Sequence, residues 1–291
     1  LRTRATLNSI GYYRILLHVS RETYIMRITT RKELFLMGKA IAIFNQKGGV
    51  GKTTTNINLS ACLAIKGKRV LVIDIDSQGN TTSGLGISKR DLQYTSYELL
   101  VEENINPLQT IYHTSVKNMD IIPASVNLAG AEIELVELEG RERRLEKAIE
   151  AVRHLYDYIF IDCPPSLSLL TINALTAVDS VLIPIQCEFY ALEGVSQLLS
   201  TIDLVRKSFN PALRIEGVIL SMFDGRANLS IQVAEEVKKF FGEKLYSTVI
   251  PRNVRLAEAP SYGLPITSYD PHSKGARAYM AFAEEFLSTE A

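Results

Sequence analysis

At 291 residues, 46% hydrophobic and 22% charged, the chain suits one large α/β domain or two small ones around a sizeable core. A formal net charge of zero excludes nucleic-acid binding through bulk charge, and no stretch approaches the roughly 18 uninterrupted apolar residues of a membrane span. Three scattered cysteines, Cys62, Cys163 and Cys187, exclude a disulfide framework and suit buried thiols in a reducing cytosol.

Residues 1–36 differ from the rest. They hold seven Lys/Arg against Glu22 and Glu33, a balance of +5, which leaves 25 basic and 30 acidic residues in 37–291. They show no clear helical or strand period, and a strand begins directly after Met37, Gly38 and Lys39. A secretory signal does not fit, because Arg14 and His18 interrupt the apolar stretch 10–19 and no small-residue cleavage site follows. A transit peptide fits the Arg- and Thr-rich, acid-poor composition. The preferred reading takes 1–36 as an extension, disordered or upstream of a true start at Met37, and 37–291 as a single domain.

From residue 40 onward, apolar strand-like runs alternate with helical patterns. Strands are predicted at 40–44, 69–73, 119–122, 158–161, 180–184, 215–220 and 247–250. Helices are predicted at 53–66, 129–138, 142–154, 192–208, 230–241 and 276–287. Strands apolar on both faces and separated by helices predict a doubly wound, mostly parallel α/β sheet with helices on both faces.

The loop after the first of these strands reads Lys47, Gly48, Gly49, Val50, Gly51, Lys52, Thr53, Thr54. The ordinary phosphate-loop pattern has glycine, four residues, then Gly-Lys-Ser/Thr. Gly51, Lys52 and Thr53 supply its second half, while Gln46 stands at the first glycine position. A strand enters and a helix leaves, so backbone N–H groups and a helix N-terminus converge where phosphates would sit. Lys52 is placed to reach the β- and γ-phosphates of ATP, and the Thr53 hydroxyl to help hold Mg²⁺. Lys47 is a second lysine in the cradle, adding positive charge where γ-phosphate negativity grows in the transition state. Asp162 ends the apolar run 158–161, the arrangement by which a buried strand delivers one carboxylate to Mg²⁺. Asp74 and Asp76 follow another strand on the nucleotide-binding edge and are read as having different jobs.

Residues 45–54 resemble the deviant Walker A motif of the ParA/MinD ATPases. Further segments resemble the ParA/Soj branch: Asp74-Ile75-Asp76-Ser77-Gln78-Gly79-Asn80, Ile161-Asp162-Cys163-Pro164-Pro165-Ser166, and Pro251-Arg252-Asn253-Val254-Arg255-Leu256. The resemblance runs from about residue 37 to the C-terminus with the motifs in order. Ser77, where proline is usual, and Phe44, where a smaller residue often stands, depart from the pattern. The resemblance implies a P-loop ATPase hydrolysing ATP with Mg²⁺, with Lys47 reaching the partner's nucleotide across an ATP-bound homodimer. It also implies that Asp76 positions the attacking water, Asp74 lies near the Mg²⁺ shell, and Pro251, Arg252 and Asn253 contact the adenine.

The same resemblance implies non-specific DNA binding through Arg226 and Arg255, both predicted in loops, and activation by a ParB-type protein. It implies a cytoplasmic, nucleoid-associated partitioning protein that needs no membrane. The alternative is a MinD-like membrane-associated positioning ATPase, but 281–291 holds Glu284, Glu285 and Glu290 without Lys or Arg, the wrong charge for anionic lipid. The cysteines fit neither an iron–sulfur carrier nor a Cys-x-x-Cys scaffold ATPase, and the leader is too short for a winged-helix domain.

Overall fold

The computed structural model describes residues 38–188 and 191–289, with 191–193 and the segments 2–7, 13–19 and 22–28 as backbone only. It divides into two compact units, 1–38 and 39–291. In the first, β1 (Arg2–Leu7), β2 (Tyr13–Val19) and β3 (Glu22–Ile28) form an antiparallel sheet in that order, with Arg2 opposite His18 and Tyr13 opposite Ile28. No strand period is evident in the sequence here, but β-branched and aromatic residues recur in these runs and favour extended pairing. The start expected at Met37 lies outside the described residues.

The second unit is built on an eight-stranded sheet: β4 (Lys39–Ile43), β5 (Val70–Asp74), β6 (Tyr112–His113), β7 (Met119–Ile122), β8 (Tyr158–Asp162), β9 (Ser180–Gln186), β10 (Arg214–Phe223) and β11 (Leu245–Pro251). The spatial order is β11-β10-β9-β4-β8-β5-β7-β6, parallel throughout except for the short edge strand β6, which pairs antiparallel with β7. Side chains alternate along each strand. In β4 and the residue after it, Ala40, Ala42 and Phe44 join one core layer while Ile41 and Ile43 join the other.

The layer against Ala40 and Ala42 is covered by α3 (Ser96–Val101), α4 (Leu128–Glu134), α5 (Arg144–Val152), α6 (Leu169–Ala177), α7 (Ala191–Ser208) and α8 (Asn228–Phe241). The layer against Ile41 and Ile43 is covered by α1 (Lys52–Ile65) and α11 (Lys274–Ser288). Tyr279, Phe282, Ala283 and Phe286 make the buried face of α11, with Phe282 edge-to-face on Tyr246 of β11. The short helices α2 (Asn80–Gly84), α9 (Val254–Glu258) and α10 (Ile266–Tyr269) complete the unit. The expected doubly wound α/β fold is therefore present. Among the described residues, no helix is long and apolar enough to cross a membrane.

Every predicted strand and helix of this unit has its counterpart within a few residues. Helix α6 has no counterpart among the predicted elements, because Leu170, Thr171, Asn173, Ala174 and Leu175 are buried around its whole circumference and no polar stripe marks a period. Helix α3 is also new, although Thr95 and Glu98 form a capping box that its sequence spells out. Cys62, Cys163 and Cys187 are buried free thiols, as expected.

Candidate active site

Parallel strands bring the loops after β4, β5, β8, β9, β10 and β11 to one edge of the sheet. A cavity of about 640 Å³ opens there. One wall is Gly48, Gly49, Gly51, Lys52, Thr53 and Thr54, and another is Asp76, Ser77, Gln78 and Asn80. Pro164 to Ser166 after β8, Met222 of β10, and Leu128, Ala129 and Glu132 of α4 complete the lining with Leu170.

Gly51 sits at φ 88°, a left-handed conformation that turns the chain from the loop into α1. Among the described residues no side chain caps that helix start, and no acidic residue lies in its first turn. Its leading N–H groups and the positive end of its dipole therefore face the cavity as an anion site. The loop is braced from β10, where the Ser221 hydroxyl donates to the Val50 carbonyl at 2.7 Å. Next to Ser221, Met222 adopts φ 51°, where the β10–β11 register shifts between Leu220 and Phe223. That irregularity places a non-glycine residue in left-handed backbone on the cavity lip.

The two lysines of the loop diverge. Lys52 is buried, and its Nζ donates to the Lys47 carbonyl at 3.1 Å. Burial lowers the Lys52 pKa, opposed by the charges of Asp162 and Asp76. Lys47 is not among the residues lining the cavity; its Nζ pairs with Glu188 Oε2 at 3.1 Å beyond β9. The same Glu188 carboxylate accepts from Gln186 through its other oxygen.

Asp162 lies at the end of β8, 1% exposed. Its Oδ2 accepts from the hydroxyls of Thr53 and Thr81, each at 2.7 Å. Its Oδ1 is buried and has no hydrogen-bonding partner among the described residues. Burial raises the pKa of this carboxyl, and the two hydroxyls pull it back. A buried carboxylate with one unpartnered oxygen, beside a threonine hydroxyl and a phosphate cradle, fits Mg²⁺. That ion takes one or two protein oxygens and completes its octahedron with phosphate and water. The described residues contain no cluster of three or more His, Cys, Asp or Glu that could hold a metal ion.

Asp74 pairs in register with Asp162 across β5 and β8 and is fully buried. Its Oδ2 accepts from the Thr82 N–H and hydroxyl at 2.8 and 2.7 Å, and its Oδ1 from the Asp76 N–H at 3.2 Å. Burial, and then the charge of Asp162, raise its pKa. Asp74 thus spends its oxygens on organising α2 and the turn after β5. Asp76 has left the strand and lines the cavity. Two residues apart in an uninterrupted strand, the pair would share one side; β5 ends at Asp74, and Asp76 stands beyond it, directly before the turn at Ser77 and Gln78.

Pro251, Arg252 and Asn253 lie at the end of β11 and are not among the residues lining the cavity. The Arg252 N–H donates to the Phe223 carbonyl at 3.3 Å, and the Asn253 side chain caps α9 by accepting from the Arg255 N–H at 2.8 Å. Arg226 lies in the turn after β10, its side chain 91% exposed, and its guanidinium grips both Asp224 oxygens at 3.0 Å. That grip holds the Asp224 carboxyl down to about 2. Arg255 is a correction: it stands in helix α9 rather than in a loop, because Asn253 caps the segment and starts a helical turn. It bonds Glu258 at 2.8 Å and faces Asp270 at 3.5 Å. Both arginines belong to neighbouring parallel strand ends.

Thr81, Thr82, Glu188, Ser221 and Met222 were not singled out by sequence reasoning. Thr81 and Thr82 directly follow the Asp74–Asn80 motif, a signal that position alone could have supplied. Ser221 and Glu188 act across 171 and 141 residues of chain, which no local pattern reveals.

A parallel sheet, a glycine-rich turn into a helix N-terminus, a buried lysine and a strand-end carboxylate facing a threonine hydroxyl define a P-loop ATPase. A family model described as an AAA domain matches residues 38–215. The sporulation initiation inhibitor protein Soj of Bacillus subtilis is 64% identical over 249 residues, covering 86% of this chain and 98% of that protein. The chromosome partitioning protein ParA of Myxococcus xanthus is 52% identical over 87% of this chain and 89% of its own length. Among solved structures, cobyrinic acid a,c-diamide synthase from Mycobacterium smegmatis with bound ADP and magnesium superposes with a TM-score of 0.76. It is 36% identical, with 87% and 96% of the two chains covered. The cell division ATPase MinD of Pyrococcus furiosus gives 0.72 at 29% identity, covering 88% of this chain and all of that one. The chain belongs to the ParA/Soj family of ATPases.

Proposed function

We infer that this chain is a partitioning ATPase: its ATP-bound form is a homodimer that binds DNA without sequence preference, and hydrolysis releases it. The observation that carries this is the divergence of the two lysines. Lys52 serves its own cavity, whereas Lys47, whose ammonium group pairs with the half-exposed Glu188, is turned out of it. An exposed ion pair of that kind is weak, so a phosphate on a second copy can compete for Lys47. Likeness to the ParA protein of Myxococcus xanthus, whose name speaks of chromosome partitioning, supports the same reading.

In this scheme the α1 N-terminus and Lys52 bind the phosphates, and Thr53 and Asp162 hold Mg²⁺. The ion supplies charge neutralisation on the transferred phosphoryl group. Asp76 orients the attacking water, and Pro251, Arg252 and Asn253 face the base. Arg226 and Arg255 meet DNA phosphates, exchanging Asp224 and Glu258 for them. A ParB-type activator completes the site; added positive charge of the arginine-finger kind is worth about 10³–10⁵ in rate. These roles place the protein in the cytoplasm on the nucleoid. Against the MinD-like membrane alternative stands α11, whose Tyr279, Phe282, Ala283 and Phe286 are buried in the layer shared with α1 and whose outer residue Glu284 pairs with Lys66 at 2.7 Å.

The test is DNA co-sedimentation with ATP, with ADP and without nucleotide, on the wild type, Lys47→Ala and Asp76→Ala. Binding is expected with ATP in the wild type, absent in Lys47→Ala and persistent in Asp76→Ala. Equal binding with ATP and ADP rejects the scheme, and ATP-dependent sedimentation with anionic vesicles instead of DNA selects the membrane alternative.

A further inference from the structure

The turn that carries Asp76 is held from outside the nucleotide motifs. Lys89, in the segment between α2 and α3, donates from Nζ to the Gln78 carbonyl at 2.7 Å. The N–H on the other side of that same peptide group, at Gly79, donates to the Asp76 carbonyl at 2.8 Å. One residue earlier, the Gln78 N–H donates to the Asp76 carboxylate at 3.0 Å. Both attachments of Asp76 to the turn therefore run through Gln78, and the outer end of Gln78 is fixed by an ammonium group. A cation on a peptide carbonyl polarises the whole amide, strengthening the bond that its N–H makes.

The approach of Lys89 is built into the backbone. Gly79 is buried at φ 59°, and a Cβ there would lie 2.6 Å from Lys89 Nζ and 2.7 Å from its Cε. The glycine thus provides the left-handed turn and the space across which the lysine lies. On the inner side, Asp76 and Gln78 both line the cavity.

We propose that Lys89 is a positioning residue for ATP hydrolysis, holding the Asp76–Gly79 turn so that the Asp76 carboxylate stays aimed at the attacking water. This rests on the assignment of Asp76 to that water. Lys89 itself touches neither nucleotide nor metal in this role; it acts through the Gln78 peptide. Misplacement of a catalytic group by about 1 Å can cost a hundredfold in rate, which sets the upper bound. Loss of one exposed hydrogen bond lets the turn sample other geometries without unfolding it, so kcat falls while ATP binding, made elsewhere in the cradle, does not.

The experiment is basal Mg²⁺-ATP hydrolysis by the full chain, measured for kcat and KM, with thermal unfolding in parallel, on Lys89→Met, Lys89→Arg and Asp76→Ala. Methionine keeps the unbranched stem over Gly79 and removes the donor; arginine restores a donor. Expected are a kcat lower by roughly three- to thirtyfold in Lys89→Met with KM within about twofold, near-wild-type turnover in Lys89→Arg, and unchanged unfolding temperatures. Wild-type kcat in Lys89→Met, beside an inactive Asp76→Ala, overturns the role of Lys89 alone. Equal losses of kcat and of unfolding temperature in both lysine variants overturn it too, as the mark of a structural contact. Wild-type turnover in Asp76→Ala overturns the assignment of Asp76 and the proposal with it.

Discussion

Lys47 Nζ lies 3.1 Å from Glu188 Oε2, and this pairing draws the second lysine of the phosphate loop away from the cavity that the loop lines. Five residues later Lys52 turns inward and is buried. Replacing each lysine separates binding within one chain from association between chains. Lys52→Gln is expected to weaken ATP binding by about ten- to hundredfold, the worth of one or two charge-assisted hydrogen bonds. Lys47→Gln is expected to leave the ATP affinity of the monomer within about threefold while abolishing the ATP-dependent dimer. Titration with a fluorescent nucleotide and sedimentation velocity check the two halves.

Asp162 is a carboxylate for which the metal-free fold has an imperfect place. Burial raises its pKa, and one oxygen finds no donor among the described residues. Asp162→Asn should therefore hold or raise the unfolding temperature measured without nucleotide, while Mg²⁺-dependent hydrolysis falls by two orders of magnitude or more. Chelation of Mg²⁺ should reduce the wild type to the level of the variant.

Glu285 fastens α11 to β11, accepting from the Ser247 and Thr248 N–H groups at 2.6 and 2.8 Å. Burial pushes its pKa up, but the Thr248 and Ser247 donors outweigh that, and the net shift is downward from 4.5. A carboxylate with a depressed folded pKa stabilises the protein fully above its unfolded pKa, and that contribution is lost as the pH falls through the folded value. Glu285→Gln should thus cost about 1–2 kcal/mol near pH 7. The gap to the wild type should close in acid, in urea unfolding series run from about pH 7 to about pH 3.

Arg226 and Arg255 make their bonds to acidic neighbours within three residues, besides the longer approach of Arg255 to Asp270. If each meets one phosphate, a dimer neutralises about four, and log K against log salt has a slope near −3.6. Binding then weakens roughly a hundredfold between 50 and 200 mM salt. Removing Arg226 alone should reduce the slope by about 1.8, with the ATP affinity of the monomer unchanged. A fluorescence-anisotropy titration across salt concentrations reads both.

Local pattern determined much of this protein. Strands apolar on both faces announced the two-sided sheet, since only a doubly covered strand forgoes a polar face. The order strand, glycine turn, Lys-Thr, helix announced the phosphate cradle, because backbone dihedrals and a helix N-terminus are short-range properties. Asp162 was legible for the same reason, standing where an apolar run ends. What only the tertiary structure decided acts across long stretches of chain or depends on burial. Lys47 meets Glu188 because β9 neighbours β4, and Ser221 braces Val50 from β10, beyond β9. Asp74 surrenders its oxygens to Thr82 and the Asp76 N–H because it is wholly buried. Helix α6 showed no period because packing surrounds it on every side. Sequence spacing fixes which groups are near one another along the chain; strand order and burial decide which face the cavity, and in what state of charge.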